Sequence, residues 1–129
     1  MRASLNNQIR RSLQNDLSSL HRTESILTDK IHELRALIAK IDRHLSSFEH
    51  NRAQFHSIYN PRSEWNGTER RHFDDHMNSE ILDDYRSFLT SVRRLREDVQ
   101  DEARRLNNHL YLCRSDIRSV HSSLSALND

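Results

Sequence analysis

Apolar residues recur along this chain at helical spacing in two long runs. The first includes Leu5, Ile9, Leu13, Leu17, Leu20, Leu27, Ile31, Leu34, Ile38, Ile41, Leu45, Phe48, Phe55 and Tyr59. From Leu20 onward the steps alternate between three and four, with Glu24 and Arg52 in two of the slots. That is a heptad seam, the pattern that lets one helix bury a narrow stripe against another. The earlier steps of four, from Leu5 to Leu17, depart from the strict heptad and predict local unwinding of the supercoil. The second run begins at Phe73, Met77 and Ile81, passes through Tyr85, Phe88, Val92, Leu95 and Val99, and continues to Leu127 in the same small steps. Nowhere do apolar and polar residues alternate long enough for a strand.

Between the runs lies Asn60-Pro61-Arg62-Ser63-Glu64-Trp65-Asn66-Gly67-Thr68, which holds the only proline, glycine and tryptophan of the chain. Asn60 suits an N-cap and Pro61 a first helical position. Gly67 can take the left-handed conformation that ends a helical turn, and Thr68 can cap the second arm. The sequence therefore predicts an all-α protein, a long antiparallel two-helix hairpin forming one domain over residues 1–129. Its first helix would span about 4–59, its turn 60–68 and its second helix about 69–126. A turn of that length would set Phe55 near Phe73, Ile41 near Phe88, Leu27 near Ala103 and Leu13 near Ile117.

Several aliphatic residues fall beside the seams: Ile26 and Leu37 on the first arm, Leu82, Leu89 and Leu112 on the second. Flanking aliphatics widen the stripe toward the face that packs in a larger bundle. These five residues are thus the expected interface with a homodimer mate or another helical partner. Composition agrees with thin helices. Hydrophobic residues make up 34% and charged residues 30% of the 129-residue chain, against about 45–50% apolar in ordinary globular domains.

The formal net charge of +1 gives no bulk attraction to nucleic acid. Paired arginines such as Arg93-Arg94 and Arg104-Arg105 are separated by Glu97, Asp98, Asp101 and Glu102, the pattern of an ion-pair-laced solvent face. One cysteine, Cys113, excludes an internal disulfide and reads as a small buried hydrophobe. No stretch is apolar enough to insert in a membrane. The N-terminus lacks the apolar core of a cleavable signal, so export, if it occurs, is expected by another route.

Among nine histidines, His72 and His76 share a helix face and His56 could approach them across the hairpin. A zinc site needs further ligands at fixed spacing, so these read as solvated residues and no metal or cofactor is expected. With one glycine there is no phosphate-cradling loop, and no serine sits in a nucleophile motif. A non-enzymatic protein is expected.

Trp65-Asn66-Gly67, placed at the bend between two amphipathic arms, resembles the Trp-X-Gly motif of the small helical-hairpin proteins of bacterial type VII secretion. The motif is carried by Trp65 and Gly67, the architecture by the whole chain. The resemblance implies an accessory or chaperone-like targeting factor in Gram-positive bacteria, binding the helical N-terminal domain of a Leu-X-Gly (LXG) toxin or a second small protein of its own kind. It also implies that Trp65 and Gly67 belong to a surface seen by the secretion machinery. The protein would be cytoplasmic before export and would leave, if at all, with its partner. Two features depart from the family pattern. The arms are longer than usual, and the C-terminal export motif, an aromatic residue followed four later by an acid, is absent: Tyr85 is followed by Leu89 and Tyr111 by Ser115. A partner that supplies this motif fits better than self-export. The reading from another class is a self-associating structural coiled coil, or scaffold, with no secretion role.

Overall fold

A computed structural model describes residues 2–59, 71–72, 80 and 82–128, with backbone only over 53–59. The protein is all-α. Helix α1 runs from Arg2 to Tyr59 and helix α2 from Leu82 to Asn128, and the two pack against each other in antiparallel fashion. Neither segment contains proline or glycine, so nothing in them interrupts the backbone ladder. Asp83 and Asp84 occupy the first turn of α2, where carboxylates complement the helix dipole. Serine and threonine within the helices, such as Thr28 and Thr90, turn their hydroxyls back to carbonyls one turn earlier, leaving the ladder continuous. Phe73, Met77 and Ile81 lie outside the described residues, as does the expected turn at 60–68.

The helices divide into two compact units, Met1–Arg35 with Gln100–Asp129, and Ala36–Val99. In the first, Leu27, Ile31, Leu106, Leu110, Cys113 and Ile117 form the buried core, with Leu17, Leu20 and Leu34 packed against it. In the second, Ile41, Leu82, Leu89 and Val99 are buried.

On α1 the seam positions 10, 13, 17, 20, 24, 27, 31, 34, 38, 41, 45, 48 and 52 are buried or half-buried, and Thr23, Thr28 and Asp42 beside them are half-buried as well. Threes and fours alternate throughout, so the helix keeps a strict heptad back to Arg10. Leu5 and Ile9 are exposed because Arg10, not Ile9, takes the seam slot. The steps of four on which the expected unwinding of the supercoil rested are thus not the seam, which passes through Arg10, Leu13 and Leu17.

On α2 the seam runs through 82, 85, 89, 92, 96, 99, 103, 106, 110, 113, 117, 120, 124 and 127. Three members differ from expectation. Leu82 and Leu89, expected beside the seam, belong to it, Leu89 in the place of Phe88, and Arg96 takes that of Leu95. Phe88 and Leu95 are half exposed, at 50% and 53%. The reason is geometric: a seam through Leu95, Val99 and Ala103 needs two successive steps of four, which would rotate the stripe away from α1.

The register differs as well. Phe88 packs on Phe48, with ring centroids 5.0 Å apart, seven positions along α1 from the expected Ile41. Cys113 donates its thiol proton to the carbonyl of Leu20 at 3.3 Å. The expected pairing of Phe55 with Phe73 falls outside the described residues.

Candidate partner-binding surface

The two edges of the helix pair can be named by heptad position, with the seam at a and d. In antiparallel helices the e positions of both line one edge and the g positions the other. Polar cross-helix contacts gather on the e edge. In the first unit, Arg10 donates to the Oδ1 of Asn128 at 3.0 Å, and Arg114 donates through Nε to Glu24 at 3.1 Å. The rings of His21 and His121 meet edge-on there, with centroids 6.4 Å apart. In the second unit, Arg93 pairs with Glu49 at 3.0 Å, and Arg96 reaches Asp42 from the seam. The guanidinium of Arg114 is the chief reason that the Glu24 carboxyl lies below the usual carboxylate range, with His21 adding to it. Arg96 does the same to Asp42.

The g edge is different. In the second unit it exposes Leu37, at 42%, together with Phe88 and Leu95. A shallow cavity of about 190 Å³ opens there, lined by His44, Leu45, Phe48, Phe88 and Val92. Its floor is braced from behind. Phe48 also packs on Tyr85 at 4.9 Å, the Tyr85 hydroxyl donates to the Phe48 carbonyl, and Arg52 sits over the Tyr85 ring. In the first unit Ile9 at g and Leu5, Ile26 and Leu112 at the neighbouring c positions are all exposed.

Of the five residues expected to meet a partner, Ile26, Leu37 and Leu112 are exposed, at 48%, 42% and 59%. Leu82 and Leu89 are not available: they are buried at 7% and 3% exposure, because they are seam residues of α2. Phe88 and Leu95 stand on the exposed edge instead. Reading the α2 spacing strictly back from Ala103 would have found them. Trp65 and Gly67 lie outside the described residues. So do the side chains of His56 and His76, while His72 is exposed. No described helix is long and apolar enough to cross a membrane.

The architecture defines a helical-hairpin protein built of two long packed helices. The chain belongs to the YwqH-like family, whose model matches residues 8–129 and so takes in nearly all of α1 and the whole of α2. No curated protein and no solved structure gives a significant match.

Proposed function

We propose that this protein is a non-enzymatic targeting factor of a bacterial type VII secretion system, binding the helical N-terminal domain of a cognate LXG toxin side by side with its own helices. Membership of the YwqH-like family carries the reading, since YwqH-like proteins are associated with LXG toxin systems. The uneven edges of the helix pair support it. Exposed leucine, isoleucine and phenylalanine side chains concentrated on one edge of each unit are the composition expected of a face that another helix covers. On this reading Ile26, Leu37 and Leu112 contact the toxin, while Trp65 and Gly67 present a surface to the secretion machinery.

The test is coexpression with the N-terminal domain of a cognate LXG toxin. A stable complex of the two chains is expected on gel filtration. If the toxin domain elutes alone while this chain associates only with itself, the structural coiled-coil reading replaces the targeting one.

A further inference from the structure

We propose that the g edge of the second unit is a docking groove for one amphipathic helix of the toxin's N-terminal domain, a proposal that rests on the targeting function. The groove has two rungs. His44 and Phe88 flank the cavity whose floor is Leu45, Phe48 and Val92. One heptad away on both helices, Leu37 and Leu95 occupy the equivalent opposed positions, and both are exposed. Two rungs separated by one heptad lie about 10.5 Å apart, at ~1.5 Å per residue. That is the distance between side chains i and i+7 on one face of an α-helix, the spacing by which helix-in-groove recognition places its anchors.

Charge gives the groove a direction. Lys40 stands exposed at the rim on the α1 side, beside His44. Asp84 and Asp98 stand exposed at the rim on the α2 side. The occupant is therefore a helix with a large apolar residue at i and another at i+7, acids along the border that meets α1, and bases along the border that meets α2. On the opposite edge of the same unit the side chains of Asp42, Glu49, Arg93 and Arg96 are already engaged with one another, which leaves the g edge as the one with apolar side chains to offer.

The measurement is titration of the purified N-terminal toxin domain into the full chain and its variants. Phe88→Ala combined with Leu95→Ser removes an anchor from each rung. Both side chains are half exposed, so circular dichroism is expected to show unchanged helicity. Binding is expected to weaken by about tenfold or more. Tyr111→Ser, which changes an exposed aromatic on α2 away from the g edge, is the control and should leave the dissociation constant within about twofold. Lys40→Glu, which cannot disturb the core, should weaken binding and remove part of its salt dependence. Wild-type affinity in both the double variant and Lys40→Glu would overturn the groove while leaving the targeting function in place. A wild-type chain that does not bind the toxin domain at all overturns both. A wild-type self-dimer abolished by Phe88→Ala with Leu95→Ser, alongside unchanged toxin binding, assigns the groove to a second copy and also overturns the proposal.

Discussion

Arg96 holds both carboxylate oxygens of Asp42, its Nε 2.5 Å from Oδ1 and its Nη2 3.2 Å from Oδ2. This fork bridges the helices from a seam slot that the heptad reserves for an apolar side chain. Both groups remain partly exposed, at 32% and 47%, so solvent screens the attraction and the pair contributes to alignment more than to stability. Arg96→Leu is expected to leave the melting temperature equal or higher, since it restores an apolar seam. Arg96→Glu places like charges together and should lower it. A marked loss of stability in Arg96→Leu would show that the ion pair is a principal support.

Neighbouring residues of α2 should respond very differently to truncation. Leu89 is buried at 3% exposure and Phe88 is half exposed. Leu89→Ala is expected to cost about 2–5 kcal/mol in urea unfolding. Phe88→Ala, although it removes more atoms, should cost about 1 kcal/mol, because much of the ring already faces water. The reverse order would return Phe88 to the seam.

Acid should loosen the helix pair. The carboxyls of Glu24, Asp42 and Glu102 titrate below their ordinary values of 4.5, 3.8 and 4.5, each held down chiefly by a hydrogen-bonded arginine. A carboxylate whose folded value is depressed adds stability that is complete above its unfolded value and disappears as pH falls through the folded one. The melting temperature should thus be steady above about pH 5 and decline below about pH 4 on account of these groups. Glu24→Gln combined with Asp42→Asn should flatten the decline. An unchanged slope in that variant would remove these two carboxylates from the account.

The Cys113 thiol should be inert in the folded chain. Burial is the chief cause that raises its pKa, with the charges of Glu24 and Asp116 adding to it, and only 4% of the residue is exposed. Thiolate is the reactive form, so labelling by a thiol reagent should be slow in buffer and rapid in concentrated urea. Rapid labelling under native conditions would mean that α2 opens at Cys113.

Trp65→Ala addresses the Trp-X-Gly motif. Circular dichroism is expected to show preserved helicity, with loss of toxin export in a secretion assay. Unchanged export would reduce Trp65 to an architectural role.

Much of the fold was legible because a heptad is a spacing rule and both helices obey it without proline or glycine. Along α1, Glu24 and Arg52 could be assigned to the seam by their place in the count. Along α2 the same rule was outweighed by hydrophobicity: Phe88 and Leu95 look more like core than Leu89 beside a threonine or Arg96 among charges. Spacing, which fixes the direction in which a side chain points, prevails over the identity of the side chain when an ion partner such as Asp42 is within reach. The heptad error in register near Phe48 has another cause. Seven-residue repeats pair almost equally well when displaced by seven, and apolar patterns alone do not distinguish the alternatives. The exposed edge was partly legible in Ile26, Leu37 and Leu112. Its strongest member, Phe88, was hidden by the same misplaced seam.

That near-degeneracy gives the polar slots a consequence for the folding search. In the first unit, Arg114 meets Glu24 only in the native alignment. Sliding one helix by a heptad brings Arg114 to the level of Leu17 in one direction and Ile31 in the other, setting a guanidinium against an aliphatic side chain and stranding Glu24. Either wrong alignment forgoes this ion pair, which tips the balance between registers that apolar packing alone leaves nearly equal. Glu24 thus acts as a checkpoint that a more uniformly apolar seam would lack.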